Sequence, residues 1–291
     1  MAQDHITIEA SDLRRLLLMT QRKQTVAGKN NPQVTSCLLS ATHNGDLFNL
    51  NTISLVRDGR TSVSSFNVPM ESCSPSMVQV PIPDIDRALG VLKAHNGVVK
   101  LTWTTNSLKI KSSNKQTTLT ANANALAFAH STETIIGWYE KSSELMQKVQ
   151  PDKYHLSTGS GVIEPCYSIQ LPASELAAAF ACDNINGQKL NRYTFAIQSG
   201  KCPTVSVGDP MKGQTEIQLT DEVVDLDKSS DFTWEFEGGL DYVVSLLSGN
   251  VWLKFLDFRK YEQGIRLLLV GELTSEDSHI HECVVMQAGV L

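Results

Sequence analysis

The sequence has no excess of basic residues. Its 25 lysines and arginines are outnumbered by 31 aspartates and glutamates, which gives a formal net charge of −6. A protein that coats nucleic acid over most of its surface is expected to be basic. Any contact of this chain with nucleic acid must therefore use one local basic face.

Long apolar runs and targeting signals are missing as well. The sequence has no stretch of about 18 apolar residues, as a transmembrane helix would need, so we expect no membrane partner. The start, from Met1 to His5, has neither the basic cluster nor the apolar core of a secretory signal. The six cysteines form no Cys-x-x-Cys pair, so we interpret them as reduced and mostly buried thiols of an intracellular protein.

Signatures of catalysis and of metal binding are also absent. The sequence has no Gly-x-x-x-x-Gly-Lys loop and no Gly-x-Gly-x-x-Gly loop for phosphate groups. The segment Gly159-Ser160-Gly161 lacks the strand–turn–helix setting of a nucleophile elbow. His279 and His281 have no third metal ligand near them. We therefore predict a protein that is not an enzyme, with no catalytic residue, no cofactor and no metal.

The sequence does contain a strong strand pattern. Val99, Leu101 and Trp103 alternate with polar residues, and Leu108 and Ile110 alternate with lysines. This period of two is typical of antiparallel sheets with one buried face.

Four short helical segments each follow a short strand. When they are aligned, apolar residues recur at i, i+3 and i+4, which is one helical stripe facing a sheet. The aligned triplets are Leu13, Leu16 and Leu17; Ile85, Ala88 and Leu89; Leu176, Ala179 and Phe180; and Leu240, Val243 and Val244. Ser11 and Ser174 lie where helix N-caps are expected. This repetition predicts an α+β fold of four strand–helix–strand units.

The four units fall into two pairs. We predict an N-terminal domain over residues 1–130 and a C-terminal domain over residues 166–291. The polar segment with several glycines and serines between them, residues 131–165, is predicted to be an inter-domain linker.

Cations are concentrated on and just after the first two helices. The apolar stripe faces the sheet, so these basic side chains should lie on the solvent side, where they could contact phosphates. The candidate DNA-binding residues are Arg14, Arg15, Arg22, Lys23, Arg87 and Lys93. Taken alone, the same pattern also fits an ordinary solvated helix face.

The repeated unit, with two copies per domain and a linker between, resembles the DNA sliding clamp family in its two-domain form, the proliferating cell nuclear antigen type. Two segments carry the resemblance, Val80–Leu89 and Leu240–Leu247, each together with the two strands that follow it. The family implies two clamp domains with antiparallel sheets outside and helices inside.

The resemblance implies a DNA polymerase processivity factor. Three copies would form a ring of six domains that encircles duplex DNA, contacts it independently of sequence and slides along it. The ring would tether DNA polymerase and other replication proteins, which dock through short apolar peptides. A clamp loader would be a further partner.

The resemblance also implies where subunits and partners bind. By position, strand 117–121 of one subunit would pair with strand 215–219 of the next; the alternative is that both remain free edges of a monomer. The candidate interface residues are Thr117, Leu119, Ala121, Thr215, Ile217 and Leu219. The candidate partner pocket consists of Leu145, Met146, Val149, Ile265, Cys283, Val284 and Val285.

The chain departs from the family at the third and fourth helices. Their exposed positions hold Ala177, Ala178, Asp241 and Tyr242 instead of cations. DNA contact should therefore be concentrated on the first domain. This divergence favours a viral or phage protein, located in the host cytoplasm if phage-encoded and in the nucleus if it comes from a eukaryote or its virus.

Two other functions remain open at this point. A monomeric processivity factor of the same fold could hold DNA by charge without encircling it, although the net acidity argues against this. A β-rich structural or virion protein with no role on DNA is the other alternative.

Overall fold

A computed structural model provides the structure of the protein. It describes residues 4–21, 23–26, 29–32, 36–44, 47–55, 61–68, 72–74, 77–104, 107–120, 147–150, 153–156, 161–182, 184–185, 188–189, 192–211, 213–219, 222–223, 231–237, 240–257, 266–272 and 282–288.

The described residues form short helices and many strands. The helices are α1 (Ala10–Gln21), α2 (Ile85–Leu92), α3 (Ala173–Ala181) and α4 (Leu240–Val244). The strands up to the middle of the chain are β1 (His5–Glu9), β2 (Lys23–Val26), β3 (Lys29–Pro32), β4 (Cys37–Asn44), β5 (Leu47–Leu55), β6 (Thr61–Val68), β7 (Ser72–Ser74), β8 (Met77–Ile82), β9 (Val98–Thr104), β10 (Ser107–Lys111) and β11 (Gln116–Thr120).

The later strands are β12 (Gln147–Gln150), β13 (Lys153–Leu156), β14 (Gly161–Ile163), β15 (Tyr167–Pro172), β16 (Asn184–Ile185), β17 (Gln188–Lys189), β18 (Arg192–Ile197), β19 (Thr204–Asp209), β20 (Gly213–Gln218), β21 (Glu222–Val223), β22 (Phe232–Glu237), β23 (Asn250–Asp257), β24 (Arg266–Glu272) and β25 (Glu282–Ala288). None of the helices in the described ranges combines the length and the apolar character that crossing a membrane requires.

The chain divides into two compact units. The first unit comprises residues 1–21, 34–139 and 274–283, and the second comprises residues 22–33, 140–273 and 284–291. The hairpin of β2 and β3 therefore belongs to the second unit, although it follows α1 in sequence. The predicted boundaries of residues 1–130, 131–165 and 166–291 remain a prediction. The segment predicted as a linker contains the small antiparallel sheet of β12, β13 and β14.

The first unit contains an antiparallel sheet in the order β11-β10-β9-β1-β7 and a second run of paired strands, β8-β4-β5-β6. Strands β1, β9 and β10 bury alternate residues, as their period-two pattern predicts, so one face of the sheet packs inward. Helices α1 and α2 contact each other in this unit. Its described core is mostly aliphatic, with Ile6, Ile8, Leu16 and Leu101 among its fully buried side chains.

The second unit repeats this plan. It contains the sheet β20-β19-β18-β22 and the paired strands β21-β15-β23-β24, and α3 contacts α4. Its core contains a cluster of aromatic rings among aliphatic side chains. Phe195 lies 5.3 Å from Phe255 between ring centroids, and Phe180 lies 4.3 Å from Tyr193. Edge-on and tilted ring pairs of this kind stabilise a core beyond the area that they bury.

The predicted helical stripes are confirmed in all four helices. Every residue of the four aligned triplets, from Leu13 to Val244, is buried. The fold prediction therefore holds at the level of each repeated unit.

The predicted N-caps are wrong. Helix α1 begins at Ala10 and α3 at Ala173, each one residue before the serine that was expected to cap it. The first helical amide of each helix donates to a glycine that directly precedes a strand: Ala10 N donates to Gly97 O (3.0 Å) before β9, and Ala173 N donates to Gly249 O (2.9 Å) before β23. Because the helices begin at Ala10 and Ala173, Ser11 and Ser174 lie inside the first turn and do not occupy the N-cap position.

Gly97 and Gly249 are therefore equivalent positions in the two units. Their φ angles are +71° and +64°, a region that favours glycine. An added Cβ would meet nothing within 4 Å at either position, so glycine serves the backbone turn rather than close packing.

Candidate nucleic-acid interface

The paired helices of the first unit present their cations to solvent. Arg14 on α1, Arg87 on α2 and Lys93 at the end of α2 are exposed, as predicted. Arg15 is half-buried and engaged in a contact, so it is less available than its repeat equivalent Arg87. Arg22 lies outside the described residues.

The remaining candidate cation is Lys23, which lies in strand β2; its side chain is outside the described part of the structure. It belongs to the second unit, whereas α1 and α2 belong to the first.

The acidic side chains of these two helices take part in structural hydrogen bonds. Asp84 is the N-cap of α2, and its Oδ1 accepts from Arg87 N at 2.9 Å. Asp86 accepts from the Nε2 of Gln21, which ties the end of α1 to the start of α2. Asp12 is buried, with 5% of its surface exposed. Asp86 is nevertheless exposed, so this face carries three exposed cations, Arg14, Arg87 and Lys93, and one exposed carboxylate.

The two helices of the second unit have no such cations. Neither α3 nor α4 contains a lysine or arginine. Ala178 is exposed, Ala177 and Tyr242 are half-buried, and half-buried Asp241 accepts from the Tyr193 hydroxyl at 3.5 Å. The helix faces of the two units therefore differ in charge although their buried stripes agree.

Two strands that were predicted to join subunits end their sheets. Among the described strands, β11 is at the edge of the first-unit sheet and β20 is at the edge of the second-unit sheet. On β11, Thr117 is half-buried and Leu119 is buried; Ala121 lies outside the described residues. On and after β20, Thr215 is exposed, Ile217 is half-buried and Leu219 is buried.

The cross-strand register places each of these sets on one face. Thr117 pairs with buried Ile110, and Ile217 pairs with buried Val205. Both sets therefore lie on the core-facing side of their sheets. Whether the two edges bind each other remains a prediction.

The predicted partner pocket falls mostly outside the described structure. Leu145, Met146 and Ile265 are not among the described residues. Val149 lies in β12, and Cys283, Val284 and Val285 lie in β25. The side chains of these four residues are outside the described part, so the pocket remains a prediction.

The cysteine prediction is only partly correct. Cys37 is buried, and burial raises the pKa of its thiol above the ordinary value. Cys166 is half-buried, whereas Cys182 and Cys202 are exposed, because they lie at a helix end and in a turn rather than within the sheets. All four are free thiols.

A group of cations on the strands was not identified from the helix pattern. Lys100 on β9 and Lys109 and Lys111 on β10 are all exposed on the polar face of the first-unit sheet. We call these three residues the lysine cluster. The alternation of lysines with buried Leu101, Leu108 and Ile110 was the sequence signal for it.

No family model matches this sequence, and no curated protein is similar to it. Solved structures are similar. The DNA polymerase sliding clamp from Pseudomonas aeruginosa matches with a TM-score of 0.62 and 13% identity, over 100% of this chain and 67% of that chain. The DNA polymerase III beta chain from Streptococcus pneumoniae has a TM-score of 0.61 and 14% identity, over 100% and 66%.

The DNA polymerase III beta subunit from Thermotoga maritima matches with a TM-score of 0.60 and 8% identity, over 100% of this chain and 66% of that chain. At these identities the likeness is one of fold. This chain has the sliding clamp fold along its whole length and spans about two thirds of the length of these clamps. The predicted sliding clamp fold and the α+β fold class are confirmed. The two-domain, proliferating cell nuclear antigen type and the viral or phage origin remain predictions.

Proposed function

We propose that this chain is a subunit of a ring that encircles duplex DNA and tethers replication proteins to it, without catalysis of its own. The observation that carries the proposal is the sliding clamp fold over the full chain. The exposed cations on α1 and α2 support it, because a clamp needs a cationic surface toward DNA.

DNA contact is assigned to the helices of the first unit. Arg14, Arg87 and Lys93 are exposed, and the neighbouring carboxylates of Asp84 and Asp86 accept hydrogen bonds within the helix pair. Phosphate contacts of this type carry no sequence information and weaken as salt rises. They are suited to a protein that must hold DNA and still move along it.

Ring closure is assigned to the edges β11 and β20. An open edge presents unpaired backbone groups, and proteins usually cover such edges or pair them. Pairing β11 of one copy with β20 of the next satisfies both edges. With two clamp domains in each chain, a ring of six domains contains three chains, and this joint is then heterologous and closed.

Tethering follows from topology rather than from tight binding. A ring around DNA keeps a bound DNA polymerase near the primer end, which raises its effective concentration. We propose that polymerase and other replication proteins dock by short apolar peptides on the segments around Val149 and Cys283–Val285, with a loader opening the ring.

Two measurements test the proposal. Light scattering at micromolar concentration should give three times the 32.0 kDa of one chain. The protein should remain on nicked circular duplex DNA during gel filtration and should leave it once the circle is cut. A mass of 32.0 kDa together with no retention on circular DNA would contradict the proposed ring.

The monomeric factor of the same fold is the second candidate. The confinement of helix cations to the first unit favours it, because one cationic face is what a non-encircling binder would use. A monomer that binds linear and circular DNA equally would identify this candidate.

A further inference from the structure

The lysine cluster has an unfavourable arrangement within a single chain. Lys100 and Lys111 are direct cross-strand partners between β9 and β10, and both are exposed. Lys109 lies two residues from Lys111 on the same face. Like charges placed directly opposite each other destabilise a sheet, so this arrangement costs stability unless something else compensates it.

No acidic residue shares a cross-strand row with the cluster. Glu9 on β1 lies on the same face, one row beyond Thr7 and diagonal to Lys100, but among the described residues no ion pair joins the two. The two cross-strand rows that contain it run through Ser72, Thr7, Lys100, Lys111 and Gln116, and through Ser74, His5, Thr102, Lys109 and Thr118. Neither row contains an aspartate or glutamate. Among the described residues, no ion pair involves any of the three lysines. Each row ends at the edge strand β11, which is the direct neighbour of β10.

The other edge carries the opposite charge. Glu216 is exposed on β20 and lies on the polar face, since its cross-strand partner is Ser206 while buried Val205 and Val207 face the core. The row continues through Thr194 to Glu235, which is paired with Arg192 at 3.0 Å. Within the described structure, Glu216 forms no ion pair with a lysine or arginine.

We infer that the lysine cluster and Glu216 recognise each other across the joint between two copies of this chain, and that they select pairing of β11 with β20 over pairing of either edge with itself. The inference rests on the proposed function, because it requires the two edges to meet. Its partner is therefore a second copy of the chain rather than nucleic acid or an acidic peptide.

The register of a sheet supports this assignment. Residues that share a face on one strand must share it on the next, so Glu216 comes opposite Gln116, Thr118 or Thr120 when the core-facing sides coincide. Its backbone is then two strand spacings, about 10 Å, from that of β10. Lysine and glutamate side chains together are long enough to close that gap.

The alternatives are disfavoured by the same charges. If β20 paired with another β20, two Glu216 side chains would face each other about one strand spacing apart. If β11 paired with another β11, both lysine clusters would lie on one continuous face with no acid between them. Self-pairing gives a two-fold dimer, whereas mixed pairing is heterologous and gives a ring when the rotation between successive copies closes. The charge pattern therefore favours the closed ring.

Charge reversal tests the inference. In K109E/K111E and in E216K, the joint has like charges on both sides. We expect either change to raise the concentration at which half of the chains are in trimers at least about tenfold in 50 mM salt, and we expect the difference to shrink in 500 mM salt. The triple variant K109E/K111E/E216K restores opposite charges and should return to within about threefold of the unchanged protein.

Analytical ultracentrifugation measures these midpoints, and circular dichroism confirms that each variant is folded. K201E is the matched control, since Lys201 is an exposed lysine in the turn between β18 and β19, and it should leave the midpoint unchanged. The inference is overturned if K109E/K111E and E216K leave the midpoint unchanged. It is also overturned if the triple variant forms trimers no more tightly than K109E/K111E or E216K. In both cases the proposed ring itself would stand. An unchanged protein that is monomeric throughout would instead overturn the proposed function.

Discussion

Removing two exposed arginines from the helix face should change how DNA binding depends on salt. Arg14→Ala combined with Arg87→Ala removes one cation from each of the two paired helices of the first unit, and both side chains are solvent-exposed. Each phosphate contact that is lost lowers the slope of log affinity against log salt by about 0.9, so the double variant should lose about 1.8.

The size of the effect follows from that slope. Between 50 and 200 mM salt, a difference of about 1.8 in slope corresponds to roughly a tenfold change in relative affinity. The variant should therefore be much weaker than the unchanged protein at low salt and closer to it at high salt. Fluorescence anisotropy with a labelled duplex at four salt concentrations measures this, and two unrelated duplex sequences should give the same loss.

The control pair is Lys201→Ala with Lys212→Ala, which removes the same charge; Lys201 is exposed between β18 and β19, and Lys212 follows β19 in the sequence. It should leave the slope within about 0.3 of the unchanged value if the helix face is the DNA surface. Equal losses for the two pairs would refute the assignment of DNA contact to α1 and α2, because the effect would then follow net charge alone.

Three further predictions concern stability and reactivity. Gly271→Ala makes the new Cβ collide with the Trp252 ring, so urea unfolding should show a loss of about 1–3 kcal/mol; combining it with Trp252→Ala should remove most of that penalty, and additive losses would contradict the predicted clash. Asp84→Ala removes the cap that accepts from Arg87 N and should cost about 1 kcal/mol, whereas Asp84→Asn should cost less. Iodoacetamide at pH 8 should modify exposed Cys182 in the native protein and buried Cys37 only in denaturant; native labelling of Cys37 at the same rate would contradict its burial.

The sequence predicted which residues are buried or exposed where one periodicity alone determines this. The apolar residues at i, i+3 and i+4 identified the buried stripe of every helix, because a helix packed on a sheet has only one inward face. The lysines of β9 and β10 were equally predictable as exposed positions from the period of two. Their charge conflict was not, since it depends on which residue of β10 lies opposite Lys100.

Sequence reasoning failed where a distant part of the chain completes a local structure. Ser11 and Ser174 fit the composition of an N-cap, but the carbonyls of Gly97 and Gly249 already accept from the first helical amides. No pattern near Ser11 reveals a carbonyl that lies more than eighty residues away in sequence.

The two units have the same arrangement of strands and helices but different side chains in their cores and on their helix surfaces. This difference bears on function. The first unit has a largely aliphatic described core and cationic helix surfaces. The second has a cluster of aromatic rings in its core, and its described helices contain no lysine or arginine. In the proposed ring of three chains, cationic helix pairs would therefore alternate with uncharged or acidic ones around the hole. Only half of the domains would then contact phosphates strongly. With fewer simultaneous phosphate contacts, the affinity for DNA depends less steeply on salt, and the ring has fewer contacts to release as it moves. Retention on DNA must then come from closure of the ring. How long the ring stays on DNA would therefore depend on the stability of the β11–β20 joint.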